Sequence, residues 1–286
     1  MTFSIVARDV SASGAPEWGV AVASKFLAVG AAVPWARADA GAVATQALAN
    51  LAYGPEGLDL LAEGRSAEEV VAALTGADDE REHRQLGVVD AEGRASTYTG
   101  SECLNWAGGR TGPGFCCQGN ILTGPDVVDA MVDAFESTEG ELAVRLIAAI
   151  KAGDAKGGDS RGRQSAALLV VRRDGGYGGG IDKAVDLRVE DHAAPIDELQ
   201  RLFDLHNVYF PRKEDLEFLG FDGGVSKEVA EALTRLGYDA GPGESYDAQL
   251  RGALFSYVGT ANLEERWSEE NVIERGILEH LRAGRT

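Results

Sequence analysis

The chain has 286 residues, 44% hydrophobic and 26% charged, the balance of a soluble globular protein long enough for a large core and one or two domains. Its formal net charge of −19 excludes a nucleic-acid backbone or an anionic membrane surface as the expected partner. No basic segment leading into an apolar stretch opens the chain and no apolar run of about eighteen residues occurs, so the expected location is cytoplasmic.

In the first ten residues Phe3, Ile5 and Ala7 alternate with Ser4 and Val6, the period of a strand beginning at Thr2. Thr2 is small enough for Met1 to be removed after synthesis. That would leave a hydroxyl and an α-amine on one residue, and an unperturbed α-amine titrates near ~7.7–8.0, low enough to take a proton from its own hydroxyl. The alternative is that a β-branched residue simply starts the strand. A turn at 13–16 leads into a second strand at about 18–25; as a hairpin, it returns Ser24 and Lys25 to the neighbourhood of Thr2. There Lys25 either lowers the amine's pKa by its charge or is an ordinary exposed lysine at a strand end.

Residues 33–46 read as extended, ending in Thr45 and Gln46. Gly54-Pro55 opens a helix from about Glu56 to Glu63, and Ser66 with Glu69 three positions on forms a capping box for a second, to about Leu74. Strands follow at 85–90 and 95–99, joined by a tight turn at 91–94, and at 115–121, which contains Gly119-Asn120. Two helices over about 126–135 and 141–152 are each apolar along one face. Strands at 165–172 and 184–189, separated by glycine-rich turns at 175–180, and a helix at 197–203 complete this part. Strands, two helices, strands, two helices, strands is not βα alternation. It predicts an α+β fold: a four-layer α-β-β-α sandwich of two antiparallel sheets over 1–206. From 207 to 286 the chain becomes rich in aromatic residues, with helical periodicity at 225–236, 247–257 and 270–282. This predicts a small helical C-terminal domain.

Three groups of residues offer chemistry. The loop 157–165, Gly-Gly-Asp-Ser-Arg-Gly-Arg-Gln-Ser, has glycines for close backbone approach. Asp159, Arg161, Gln164 and Ser165 sit on it beside a buried strand. Such a loop orients a nucleophile or binds an anion; alternatively, an Asp–Arg pair closes a turn. It lacks the lysine of a P-loop. Gly119 and Asn120 can supply donors to an oxyanion. Cys103, Cys116 and Cys117 make neither a disulfide framework nor a zinc pattern and read as small buried hydrophobes. The four scattered histidines and the turn at 190–192 form no metal site.

The segments TFSIVARD, WGVAVASKFLAVG, PWARADAGAVATQA, QGNIL, GGDSRGRQSAALLV and DLRVEDH together resemble the family known as domain of unknown function 1028 over about residues 2–205. That family resembles the N-terminal-nucleophile (Ntn) hydrolases. The resemblance implies the same four-layer sandwich and makes Thr2 the expected nucleophile. HNVYF, LTRLGY and NLEERW in the tail resemble a peptidoglycan-binding domain often fused behind that family. The tail from Val208 carries 9 Lys/Arg and 15 Asp/Glu, a net of −6, which favours packing or self-association, and hence a homo-oligomer, over a cell-wall polymer.

The leading expectation is an amidohydrolase of linear C–N bonds acting on a small-molecule amide without a cofactor or metal. Thr2 attacks, its amine is the base, and Asn120 or backbone donors hold the oxyanion. Ser24, Lys25, Asp159 and Arg161 tune or orient, and Gln46, Gly119, Gln164 and Ser165 bind substrate. The alternatives are a non-catalytic ligand-binding or assembly protein on the same fold and a cell-wall binder led by the tail.

Overall fold

The computed structural model describes residues 2–285, and the chain divides into two units, Met1–Leu202 and Phe203–Thr286. In the first unit, two antiparallel sheets lie face to face. The larger has six strands in the order β10-β9-β2-β1-β8-β7 and the smaller four in the order β3-β4-β5-β6. These are β1 (Thr2–Val10), β2 (Pro16–Ser24), β3 (Pro34–Arg37), β4 (Gly41–Ala47), β5 (Arg84–Asp90), β6 (Ala95–Thr99), β7 (Trp106–Gly112), β8 (Phe115–Leu122), β9 (Ser165–Val171) and β10 (Lys183–Val189).

Helices cover both outer faces. Helices α1 (Tyr53–Ala62) and α2 (Ala67–Gly76) pack on the four-stranded sheet, and α3 (Asp126–Ser137) and α4 (Leu142–Ala155) on the six-stranded one. The result is an α-β-β-α sandwich. Strands buried on both faces lose the polar-out alternation of a half-exposed sheet, which is why β2 and β9 read as nearly continuous apolar runs. Val6, Val20, Val22, Ala42, Ala44, Val89, Cys116 and Leu169 fill the space between the sheets. Val43, Leu58, Leu61, Val70, Leu74 and Val88 seal the smaller sheet to α1 and α2.

Local chemistry explains several element ends. Ser66 Oγ accepts from Glu69 N while Glu69 accepts from Ser66 N, the reciprocal capping box that starts α2. Helix α1 begins at Tyr53, three residues before Glu56, because Pro55 fits a helical first turn, where its missing N–H is no loss. The stretch 33–46 is not one strand but β3 and β4, turned at Asp39 with φ 61°, a conformation that Asp tolerates. The edge strand β7 has Gly108, Gly109 and Gly112 where apolar alternation would have announced it.

The second unit is built on α6 (Gly223–Arg235), α7 (Ala248–Thr260) and α8 (Arg275–Arg282), with Val229, Leu233, Leu250, Leu254, Tyr257 and Leu278 in its core. The helix expected over 270–282 is shorter. Residues Val272–Glu274 form β12 and pair with β11 (Phe218–Gly220), and the buried Glu274 carboxylate caps α8 at Gly276 N while accepting from Arg266. Helix α5 (Pro195–Tyr209) runs past the expected 203, and the division between units falls inside it. Its last turn belongs to the second core, against which Val208 and Tyr209 pack.

Candidate active site

Strand register assembles the site. Thr2 lies opposite Asn120 on β8 and, one step beyond the Phe3–Ala23 pair, beside Ser24 at the end of β2, and Ser24 lies opposite Ser165 on β9. Side chains alternate along a strand, so Ser165, Ser24, Thr2 and Asn120 form one row across four strands, on the face that carries Val6. The next row inward is Ala167, Val22, Ser4 and Gln118; the one after is Leu169, Val20, Val6 and Cys116. The inter-sheet layer therefore grades from apolar at its centre to polar at the end where the chain enters β1.

The facing sheet answers with Gln46 on β4 opposite Gln85 on β5. Ser4 Oγ donates to Gln46 Oε1 at 2.8 Å and accepts from Gln118 Nε2 at 2.7 Å. Gln85 Oε1 accepts from Gln46 Nε2 at 2.7 Å and from Asn120 Nδ2 at 2.9 Å, while Gln85 Nε2 donates to the Gly119 carbonyl at 2.8 Å. An amide with both ends engaged has one orientation, so Gln85 fixes how Asn120 and Gln46 present themselves. Thr2 is buried (6% exposed), and its Oγ1 is 3.1 Å from Ser24 Oγ in a hydrogen bond. Gln46 Nε2 donates to the Thr2 carbonyl at 3.4 Å.

Asp159 is buried (6%) on the loop ahead of β9. Its carboxylate accepts from Lys25 N at 2.7 Å and Arg161 N at 2.9 Å, and it meets the half-exposed Arg161 guanidinium at 3.3 Å. The bond from Lys25 N ties the end of β2 to this loop and the bond from Arg161 N closes a turn within it, while an ion pair with one open side contributes little by itself. Ser165 Oγ donates to the Phe26 carbonyl and accepts from Val29 N at 3.1 Å, fixing the turn after β2.

Thr2 and Gln46 line a pocket of about 470 Å³ whose other walls come from 26–33, 47–51 and Arg84. Arg84, which the sequence pattern does not flag, donates to Asp78 Oδ2 at 3.0 Å, to Glu80 and to the Leu48 carbonyl at 2.6 Å, holding the wall at 48–51. Three non-glycine residues near this end have positive φ: Ala28 (55°), Ala47 (71°) and Ile121 (53°). For a β-branched residue such as Ile121, next to Asn120, that conformation costs on the order of 1–3 kcal/mol.

The structure thus brings Thr2, Ser24, Asn120, Ser165 and Gln46 to one end of the inter-sheet space. Lys25 and Asp159 line a neighbouring cleft of about 560 Å³ with Thr123, Asp154 and Arg163. The Lys25 side chain is exposed, and its contact with Asp159 is through the backbone. Gly119 pairs with Phe3, one step out of phase with Thr2 and Asn120, and its carbonyl is taken by Gln85. Gln164 is half-buried and its carbonyl accepts from His192 N. Cys116 and Cys117 are buried, and desolvation pushes the Cys116 thiol up to about 12. Among the described residues no group of three or more His, Cys, Asp or Glu is placed to hold a metal ion, and no helix is long and apolar enough to cross a membrane.

Fold and site define a two-sheet α/β sandwich with a polar row, headed by a threonine at the start of its central strand, beside a largely apolar pocket. A family model described as "Family of unknown function (DUF1028)" matches residues 2–199, and the chain belongs to that family. A second, "Putative peptidoglycan binding domain", matches residues 209–281. The crystal structure of a Silicibacter pomeroyi protein of the same DUF1028 family is similar at 32% identity and a TM-score of 0.64, covering 72% of this chain and 89% of that one. No curated protein matches at a significant level.

Proposed function

We propose that the first unit is an Ntn-type hydrolase of linear amide bonds, with Thr2 as nucleophile once Met1 has been removed. The observation that carries this reading is the placement of Thr2 as first residue of a central strand, its hydroxyl hydrogen-bonded to Ser24 and its side chain on a pocket wall. Thr2 Oγ1 attacks the carbonyl carbon and its proton passes to the α-amine. The carbonyl π pair collects on oxygen, where Asn120 Nδ2, oriented by Gln85, is the side-chain donor in reach of the row. Collapse expels the amine, which takes the proton, and leaves a threonyl ester. Water adds to the ester with the α-amine again accepting a proton, releasing the acid and regenerating Thr2. In this scheme Ser24 orients the hydroxyl, and Ser165, Asp159 and Arg161 hold the turn around it.

The test is N-terminal sequencing followed by kinetics on a panel of small amides. The mature chain begins Thr-Phe-Ser; a retained Met1 sinks the mechanism. Thr2→Ala loses turnover at a stability cost of about 1 kcal/mol, the worth of one neutral hydrogen bond. Retained turnover in Thr2→Ala would end the assignment. For the second unit, the family match supports a cell-wall glycan as partner. Cosedimentation of the intact protein with purified peptidoglycan tests this, and the absence of binding at low salt refutes it.

A further inference from the structure

The pocket beside Thr2 has a composition that selects among amides. Its floor holds the buried Val29 and Val33, and three large apolar side chains stand open at its rim: Phe26 (54% exposed), Leu48 (65%) and Leu51 (51%). Exposed apolar groups converging on one concavity, next to a candidate nucleophile, mark a surface that is covered in use.

Apart from Thr2, the polar side chains in the lining are Gln46 and Arg84, and both are already engaged. The Gln46 amide is spent on Ser4, Gln85 and the Thr2 carbonyl, and the Arg84 guanidinium on Asp78, Glu80 and the Leu48 carbonyl. A carboxylate entering the pocket would have to displace one of two carboxylates from Arg84 and would bring a third negative charge beside them. A cation would find no acidic residue in the lining.

We infer that this pocket takes an uncharged apolar chain or ring, so that the substrate class is an amide of a medium-sized hydrophobic acid or amine. The inference deepens the hydrolase reading and rests on it for the bond that is cleaved. Each methylene moved from water into such a pocket strengthens binding by about fourfold.

The experiment separates binding from turnover. The full-length Thr2→Ala protein is titrated calorimetrically with straight-chain primary amides from propanamide to octanamide and with succinamate as the charged control. In parallel, wild-type protein is assayed for turnover of the anilides of the same acids. The expected result is a Kd that falls about three- to fourfold per methylene, with succinamate weaker than the uncharged amide of equal length. Leu51→Asp and Leu48→Asp, both at exposed positions, lose the gain for the longer chains. Affinity that is flat along the series, or best for succinamate, overturns the inference. Graded binding without turnover keeps the ligand class and sinks the hydrolase reading; turnover that favours the succinyl anilide does the reverse. Asp variants that leave the graded affinity intact overturn the assignment of the Leu48 and Leu51 rim to the bound chain.

Discussion

Asp78→Asn is the sharpest probe of the pocket wall. Asp78 Oδ2 accepts three side-chain hydrogen bonds, from Arg84 Nε at 3.0 Å, Tyr53 Oη at 2.9 Å and Asn50 Nδ2 at 3.1 Å, and Oδ1 accepts from Glu80 N at 2.9 Å. Its side chain is 10% exposed and that of Arg84 12%. The hydrogen bond from Arg84 holds the carboxyl well below the usual carboxylate range, against the opposing effect of burial. Burial and the neighbouring carboxylate push the Tyr53 phenol up. An asparagine keeps the volume and one acceptor oxygen but turns its NH2 toward the Glu80 N–H. One bond is lost, the bonds from Tyr53 and Asn50 fall from charge-assisted to neutral strength, and the Arg84 bond stays charge-assisted but loses its ion-pair partner, roughly 1 kcal/mol each before relaxation. The expected cost is about 3 kcal/mol, the low end of what breaking a buried pair costs. For a unit of this size that corresponds to a Tm lower by roughly 6–12 °C. Tryptophan fluorescence in urea or on heating reports on it, since Trp18, Trp35 and Trp106 of the four tryptophans lie in the first unit. The folded-state pKa of Asp78 is depressed, so its contribution is complete above the unfolded value of about 3.9 and is lost as pH falls toward the folded one. The gap between wild type and Asp78→Asn should therefore close below about pH 4. A cost under about 1 kcal/mol, or a gap that does not close in acid, refutes the view that this carboxylate organises the wall.

Three further outcomes are expected. Gln85→Leu strands Asn120 Nδ2, Gln46 Nε2 and the Gly119 carbonyl without their partner, at a cost of about 2–4 kcal/mol in urea denaturation; a neutral substitution would mean that the layer is wet. Gly87→Ala would put a Cβ 2.2 Å from Gln118 Oε1, whose amide is held by Ser4, so equilibrium unfolding should show a loss of about 1–3 kcal/mol from overpacking. Iodoacetamide at pH 8 should label Cys103 ahead of the buried Cys116 and Cys117, which react only on unfolding; mass spectrometry of early peptides carrying label at Cys116 would contradict their burial.

Much of the fold is legible because its signals are local. Alternation in TFSIVA marks β1, Ser66 and Glu69 cap α2 through groups three residues apart, and the apolar faces of α3 and α4 repeat at helical spacing. Edges and short pairings are not local. β7 is a strand because β8 offers it a ladder, whatever its glycines prefer. Val272–Glu274 leaves the helical pattern because Phe218–Gly220 lies alongside.

The site divides the same way. Thr2, Ser24, Asn120 and the loop before β9 can be picked out as residue types capable of chemistry, and the sequence by itself determines that they are present and that each stands on or beside a strand. Only the tertiary structure decides that Ser165, Ser24, Thr2 and Asn120 share one row, that Gln85 and Arg84 orient its surroundings, and that Asp159 meets Lys25 through its backbone. The physical reason is register. Beyond the β1–β2 hairpin, the pairings that complete the row, β1 with β8 and β2 with β9, depend on hydrogen bonds between segments more than a hundred residues apart, and a slip of one residue would turn Thr2 toward α4 and Phe3 toward the pocket.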